Sequence, residues 1–229
     1  MKTPLIIGHR GAMGHETENT IASIEKALEL GVDMIEIDVF KIASDEIVVF
    51  HDDELDRLTN ATGNIESYTK QNLDTVVLVG NHQIPTLEEV MSTINRRVPL
   101  NIELKGANTA IGVKTIIDAC IANKSWDKDD IVISSFNWDE LKVMRQIDPS
   151  IAIAVLTEYN PLDAIEIADE LGAIAINPNF ENVTQEICNE LHANGFKIYT
   201  WTVNEPADLE RISAFGVDGI FTNYPERMR

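Results

Sequence analysis

Cysteine is scarce in this 229-residue chain, which has two, Cys120 and Cys188. They form no Cys-x-x-Cys motif, so the sequence indicates neither a redox centre nor a zinc site. Both lie in segments that we predict to be amphipathic helices, where a cysteine is usually a small buried apolar side chain. A chain of this length buries roughly 70% of its unfolded surface, so it needs no disulfide to fold.

Positive charge is also scarce, because 18 Lys and Arg residues stand against 38 Asp and Glu residues, for a formal net charge of −20. Such a balance repels nucleic acid and anionic lipid. We therefore expect a small-molecule substrate, no nucleic-acid partner and no stable association with membranes.

Long hydrophobic runs are missing as well. No apolar stretch reaches the roughly 18 residues that span a bilayer. The chain passes from Met1 almost directly into the first predicted strand, which leaves no room for a cleavable signal peptide. These features predict a cytoplasmic protein.

What the sequence does contain is a regular alternation of β-branched segments and helical segments, which is typical of parallel β/α units. The predicted strands cover residues 4–9, 34–40, 99–105, 131–136, 151–157, 173–177, 197–203 and 219–223. The predicted helices cover residues 19–30, 86–96, 109–123, 138–147, 162–171, 184–193 and 206–215. Eight strands predict a single α/β domain over residues 1–229, a closed (β/α)₈ TIM barrel whose last helix is shortened or absent.

One further strand, residues 46–51, breaks this order. It follows the second strand too closely for a parallel crossover, which needs about a dozen residues or more, so it must return antiparallel. A turn centred between Ser44 and Asp45 predicts that Asp38 lies opposite His51. The following residues 53–83 have turn formers and no clear period, and form an insertion that either walls the substrate pocket or is a surface excursion.

Four polar clusters lie within or at the end of the predicted strands. They are His9-Arg10, Glu36-x-Asp38, His51-Asp52 and Glu103-x-Lys105. A strand core rarely tolerates a charge that is neither paired nor metal-bound. Because catalytic groups gather at the carboxyl ends of parallel strands, the clusters predict an active site.

Three of these side chains, Glu36, Asp38 and Glu103, should project into one pocket, since residues i and i+2 of a strand point the same way. Two unit charges about 4 Å apart repel by roughly 4 kcal/mol at an effective dielectric of about 20. Either a divalent metal or a salt-bridge network with Arg10 and Lys105 must compensate. Three anions against two cations favour the metal, and all-oxygen ligation selects Mg²⁺ or Ca²⁺, with Mn²⁺ also compatible.

The other polar side chains suit phosphoryl transfer. His9 and His51 are candidates for general acid and general base near neutral pH. Arg10 and Lys105 would contact phosphate, the arginine through its planar fork and the lysine as a point charge.

Two aromatic residues have two interpretations each. Phe136 and Trp201 end two predicted strands, and each either packs against an apolar edge of the substrate or belongs to the core. The segment Glu18-Asn19-Thr20 opens the first predicted helix and by default serves partly as its cap.

Taken in order along the chain, these motifs resemble those of the glycerophosphodiester phosphodiesterase family, in the phospholipase C-like superfamily of TIM-barrel phosphodiesterases. The matching segments are residues 9–11, 18–20, 36–39, 48–52, 55–57, 84–89, 101–105, 134–136, 201–204 and 216–223.

The resemblance implies hydrolysis of glycerophosphodiesters to sn-glycerol 3-phosphate and an alcohol. It also implies that the glycerol 2-hydroxyl attacks phosphorus and that water opens the resulting cyclic phosphate, with either histidine as the acid. The roles it implies are one divalent metal on Glu36, Asp38 and Glu103, acid/base catalysis by His9 and His51, and phosphate contacts from Arg10 and Lys105.

The sequence departs from the family pattern in three places. The hairpin turn 42–46 lacks the usual glycine, an extra residue or so separates Arg57 from Gly63, and Asn223 stands where an aspartate is common. We expect none of these to touch the metal or acid/base positions.

Three other functions are open to a barrel of this kind. A related lyase would stop at a cyclic phosphate, but the lack of a signal peptide and of an apolar rim disfavours it. An aldolase would use Lys105 in a Schiff base, but the neighbouring carboxylates should keep that amine protonated. A binding barrel would hold a phosphate ester without turnover, and the intact acid/base positions argue against it.

Overall fold

The strands of the computed structural model, which describes residues 3–229, close into a barrel. Parallel pairing runs through eight of the nine strands found among these residues, and β1 pairs with both β9 and β2 to complete the ring. The predicted (β/α)₈ barrel is confirmed. The strands are β1 Leu5–Gly8, β2 Met34–Lys41, β3 Ile47–Val49, β4 Leu100–Leu104, β5 Ile131–Ser135, β6 Ala152–Thr157, β7 Ala175–Pro178, β8 Lys197–Thr200 and β9 Gly219–Thr222.

Helices surround the barrel in the predicted order, and the last one is shortened as predicted, to a one-turn 3₁₀ helix, Pro225–Met228. The one-turn helix Lys70–Leu73 of the insertion was not predicted. Left-handed glycines follow four of the helices, as their positions in the sequence predict: Gly31, Gly172, Gly195 and Gly216. The helices are α1 Ile21–Leu30, α2 Lys70–Leu73, α3 Leu87–Ile94, α4 Thr109–Ala122, α5 Trp138–Ile147, α6 Ile165–Leu171, α7 Gln185–Ala193 and α8 Pro206–Ala214.

The strands bury apolar side chains on both faces, and the inner face positions the site. A cluster inside the barrel comprises Ile7, Met34, Val132, Ala154, Ala175, Tyr199 and Phe221. Because side chains alternate along a strand, the residues two and four positions after Met34 face the same interior. These are Glu36 and Asp38, so the apolar cluster lies below them and the carboxylates lie toward the carboxyl end of the barrel.

The β2–β3 hairpin is antiparallel as predicted, but its predicted register is wrong by one residue. Lys41 pairs with Ile47, and the amide of Phe50 donates to the carbonyl of Asp38 over 3.0 Å. Phe50 therefore lies opposite Asp38, and His51 is the next residue along.

The turn explains this shift. The amide of Ile42 donates to the carbonyl of Glu46 over 3.0 Å, which leaves three residues in the loop rather than the even number that the prediction assumed. Asp45 takes a left-handed conformation with φ of 74°. Aspartate tolerates this conformation, so the turn forms without the family's usual glycine.

The insertion, residues 53–83, has short helices and a cluster of its own. Two one-turn 3₁₀ helices, Leu55–Arg57 and Ile65–Ser67, precede α2. Its apolar side chains pack with those of the hairpin in a cluster of Phe40, Ile42, Val48, Phe50, Leu55, Ile65, Leu73, Val76, Leu78 and Ile84. The insertion is therefore anchored to the outer part of the hairpin that carries His51.

Of the helices in residues 3–229, none is both long and apolar enough to cross a bilayer. Both cysteines are free, and Cys188 is buried. Burial and then the charge of Asp218 raise the pKa of the Cys188 thiol to about 11, which makes it unreactive near neutral pH.

Candidate active site

A cavity of about 130 Å³ opens at the carboxyl ends of the strands. Its lining contains every predicted site residue except Asp38, which is 1% exposed and paired with Glu103 across β2 and β4. The lining residues are His9, Arg10, Glu36, His51, Asn101, Glu103, Lys105, Ser134, Phe136, Leu156, Trp201, Thr202 and Phe221.

The three predicted metal ligands converge at the base of this cavity. One carboxylate oxygen from each of Glu36, Asp38 and Glu103 lies within 4.8 Å of the other two. Glu36 and Asp38 are buried, and the side chain of Glu103 is 12% exposed. A divalent cation with oxygen ligands needs such a spacing.

The protonation of these carboxylates also fits a cation site. The buried Oε1 of Glu36 has no hydrogen-bond partner, and the buried Oε1 of Glu103 has only an ion pair with Lys105. Burial, with repulsion from Asp38, raises the pKa of Glu36 well above its usual value and that of Glu103 to about 7. Carboxyl groups with raised pKa values either stay protonated or bind a cation. A hard divalent cation matches a donor set made only of oxygen atoms.

Two side-chain cations already face the carboxylates, so the predicted salt-bridge network forms in part. Arg10 Nε lies 3.3 Å from Asp38 Oδ2, and Lys105 Nζ lies 3.2 Å from Glu103 Oε1. Burial alone would lower the pKa of Lys105, but Glu103 and Asp38 raise it above its usual value. The amine is thus protonated, which disfavours Schiff-base chemistry. The pKa of Glu36 is still raised in the presence of these ion pairs, so Arg10 and Lys105 do not fully neutralise the three carboxylates.

A tight turn after β1 aims Arg10 back into the barrel. Arg10 and Gly11 both have positive φ, 51° and 84°, and the amide of Arg10 donates to Glu36 Oε2 over 2.8 Å. A Cβ on Gly11 would lie 2.6 Å from the carbonyl carbon of Ser23, so the position requires glycine. Arg10 is therefore held by its backbone as well as by its side chain.

His9 is held by a neutral partner. Its Nδ1 lies 2.7 Å from Asn223 Oδ1, and since an amide oxygen only accepts, Nδ1 carries the proton and Nε2 is free to accept one. Burial and then the charge of Arg10 lower the pKa of His9 to about 4. The expectation that Asn223 touches no acid/base position is wrong, because closure of the barrel brings β9 beside β1.

His51 is held by an anion instead. Its Nδ1 lies 2.6 Å from Asp52 Oδ1, and its Nε2 lies 3.4 Å from Lys105 Nζ at the cavity. A carboxylate on Nδ1 fixes a proton there and leaves Nε2 facing the cavity. The two histidines thus have different electrostatic surroundings.

Sequence reasoning missed the residues that hold these groups. Asn19, assigned to capping, donates from Nδ2 to Asp38 Oδ2 over 2.9 Å, while Thr20 is the actual cap of α1. Glu18 Oε1 accepts from Arg10 Nη1 over 2.6 Å. The available signal was that a helix cap needs one polar residue, whereas this segment has three.

The aromatic pair lies at the mouth of the cavity. Phe136 and Trp201 contact edge to face, with ring centroids 5.3 Å apart. Phe136 is 41% exposed, so it does not belong to the core. Trp201 is half-buried against the interior cluster and donates from Nε1 to the carbonyl of Asn177 over 2.8 Å. Both rings line the cavity.

The proteins similar to this chain in sequence include glycerophosphodiester phosphodiesterases. The sequence profile of the glycerophosphoryl diester phosphodiesterase family matches residues 9–227. A glycerophosphodiester phosphodiesterase from Caldanaerobacter subterraneus subsp. tengcongensis is 34% identical over 237 residues, covering 100% of this chain and 97% of that protein. Another from Bacillus altitudinis is 33% identical, covering 97% and 95%.

A phosphodiesterase is also found among the solved structures with a similar fold. An Oleispira antarctica phosphodiesterase, whose structure contains the product sn-glycerol-3-phosphate, superposes with a TM-score of 0.91 at 26% identity, covering 99% of this chain and 95% of that one. The resemblance and the enzyme class predicted from the sequence are confirmed. The chain belongs to the glycerophosphoryl diester phosphodiesterase family.

Proposed function

We propose that this enzyme hydrolyses glycerophosphodiesters to sn-glycerol 3-phosphate and an alcohol with the help of one divalent cation, Mg²⁺ or Ca²⁺, with Mn²⁺ as a further candidate. The ligands would be Glu36, Asp38 and Glu103. The observation that carries the proposal is their convergence within 4.8 Å in a cavity that both histidines also line. The product bound to the Oleispira relative supports this substrate class.

The phosphate would bind among the positive groups of the cavity. Arg10 would bind two phosphoryl oxygens through its planar fork, and Lys105 would bind as a point charge. When bound, the cation would polarise the phosphoryl group as a Lewis acid and favour ionisation of a hydroxyl nucleophile. Phe136 and Trp201 would contact an apolar edge of the substrate.

The surroundings of the two histidines support different roles. His9, uncharged near neutral pH, would accept the proton of the glycerol 2-hydroxyl at Nε2 as that oxygen attacks phosphorus. His51 would donate a proton from Nε2 to the leaving alcohol oxygen as the bond from phosphorus to that oxygen breaks. In the second step His51 would take a proton from the attacking water, and His9 would return its proton to the 2-oxygen.

The insertion belongs to the same unit in this proposal. Residues 53–83 share one apolar cluster with Phe40 and Phe50 of the hairpin, which supports an insertion within one catalytic domain over residues 1–229. The expected cytoplasmic location and the lack of nucleic-acid and membrane partners stay predictions.

Turnover of a panel of glycerophosphodiesters with Mg²⁺, Ca²⁺ and Mn²⁺ tests the proposal. We expect release of sn-glycerol 3-phosphate that stops on chelation and returns when the ion is restored. Turnover that survives exhaustive chelation would reject the metal-dependent mechanism. Phosphorus NMR of the product distinguishes the lyase alternative, because a lyase would accumulate the cyclic phosphate.

Affinity for the cation should fall as the pH is lowered. Glu103 has a pKa of about 7 in the metal-free protein and that of Glu36 is also raised, so protons compete with the cation for the same oxygens. Titration calorimetry at about pH 8 and about pH 6 should show weaker binding at the lower value, with proton release on binding. Equal affinity and no proton release would contradict the assigned ligands.

A further inference from the structure

An arginine of the insertion lies outside the cavity yet contacts two carboxylates that hold cavity residues. Arg57 donates from Nη1 and Nη2 to the two oxygens of Glu18 over 2.9 and 2.7 Å. It also donates from Nε to Asp52 Oδ2 over 2.5 Å and from Nη2 to Asp52 Oδ1 over 3.0 Å. One guanidinium therefore makes a bidentate contact on each side.

Each of these carboxylates also contacts a side chain that lines the cavity. Asp52 Oδ1 lies 2.6 Å from Nδ1 of His51, and Glu18 Oε1 accepts from Nη1 of Arg10 over 2.6 Å. His51 follows the hairpin and Arg10 follows β1. Arg57 thus links the segment that follows β1 to the segment that follows the hairpin.

Charge and burial make the link tight. The side chains of Glu18 and Asp52 are 5% and 22% exposed, and carboxylates so placed need positive charge beside them, which Arg57 supplies to both. Burial alone would raise the pKa of both, but the hydrogen bonds from Arg57 outweigh it and lower the pKa of Asp52 to about 2. Both carboxylates stay ionised and oriented while Arg57 is present.

Only arginine has the donors for this arrangement. Four bonds from three nitrogens of one planar group reach two carboxylates at once, whereas the ammonium of lysine is a single point with three donors. Without Arg57, Asp52 would keep only its contact with His51 and could rotate away from the cavity with it.

We propose that Arg57 is a positioning residue through which the 53–83 insertion fixes the imidazole of His51 and the guanidinium of Arg10 relative to each other. This inference rests on the proposed function, in which Arg10 binds the phosphoryl oxygens and His51 protonates the leaving alcohol. It assigns the insertion a role in holding the site together, whereas the sequence left the role of the insertion open.

The test compares Arg57→Met and Arg57→Lys with a matched control, Arg96→Met. Arg96 likewise pairs with two carboxylates, Asp127 and Asp130, and lies outside the cavity. We expect kcat to fall about 10- to 100-fold in Arg57→Met, as for other residues that orient catalytic groups, and to stay within about twofold in Arg96→Met. Arg57→Lys should give an intermediate loss, and it replaces Arg57→Met in every measurement if the latter does not fold.

Two readouts separate positioning from a loss of stability. Guanidinium ion should restore part of the turnover of Arg57→Ala, because the site is half exposed, whereas a merely unstable variant would lose activity further. Nitrogen NMR of His51 should show the Nδ1–H form fixed in the wild type and in Arg96→Met, and exchanging tautomers in the Arg57 variants.

The NMR measurement needs no turnover, so it decides the inference even if the proposed reaction fails. An inactive wild-type protein in the whole substrate and metal panel would reject the proposed function alone. A kcat for Arg57→Met within about threefold of Arg96→Met, a smaller loss than the removal of an orienting partner causes, would overturn the inference. Unchanged His51 signals would overturn it as well.

Discussion

Glu36→Gln should abolish turnover and at the same time make the metal-free protein more resistant to heat. The neutral amide keeps the shape of the side chain but cannot ionise beside the two other buried carboxyl groups. Loss of a metal ligand costs several kcal/mol of transition-state stabilisation, so kcat should fall about 1000-fold or more. Calorimetry with and without Mg²⁺ should show a raised Tm without the ion and no further rise when it is added.

The sign of the stability change follows from the pKa of Glu36. Folding raises this pKa, so the folded state binds a proton more tightly than the unfolded chain, and the metal-free wild type loses stability as the pH rises above the unfolded value of 4.5. Glutamine does not ionise, so the gain in Tm should increase with pH across the same range.

Glu140→Gln is the matched control for this variant. Glu140 is also a buried glutamate, but its two oxygens accept from the amides of Asn108 and Ala110 over 2.7 and 2.9 Å. In Glu140→Gln the side chain has only one acceptor oxygen left for these two backbone amides, so Tm should fall while turnover persists. If Glu36→Gln also lowered Tm, or kept a Mg²⁺-dependent rise, the three carboxylates would not form a cation site.

Replacing His51 with Ala should reduce turnover by a factor that depends on the leaving alcohol. General acid catalysis is worth about 10²- to 10⁴-fold when the leaving group is a poor one. We therefore expect His51→Ala to lose about 1000-fold on glycerophosphocholine and far less on a glycerophosphodiester of p-nitrophenol. His9→Ala should lose a similar factor on both substrates, because the base acts on the glycerol hydroxyl.

Steady-state kcat values for both substrates and both variants check this assignment. His192→Ala provides the control, since His192 lies at the end of α7 and pairs with Asp218 over 2.9 Å outside the cavity. It should keep wild-type kcat on both substrates. The reverse dependence, with His9→Ala rescued by the better leaving group, would exchange the two roles.

Local patterns were enough to predict the strands, the helices and the facing of the carboxylates. The alternation of side chains along β2 places Glu36 and Asp38 on one face, and the short gap before β3 requires an antiparallel return. These are properties of neighbouring residues, so they can be read without knowing the rest of the fold.

The hairpin register and the partners of the catalytic candidates could not be read in this way. A loop of three rather than four residues shifted the expected partner of Asp38, because the choice depended on the conformation of Asp45. The contact of His9 with Asn223 joins residues 214 positions apart, and that of Glu18 with Arg57 joins residues 39 apart.

The chain's own order of residues thus determined the barrel, the family and the chemical types of the candidate site. Closure of the barrel and packing of the insertion decided which neutral or charged partner each histidine and arginine has. The physical reason is range: strand alternation and turn preferences act over a few residues, whereas hydrogen bonds between strand ends form only once β1 lies beside β9 and the insertion has packed on the hairpin.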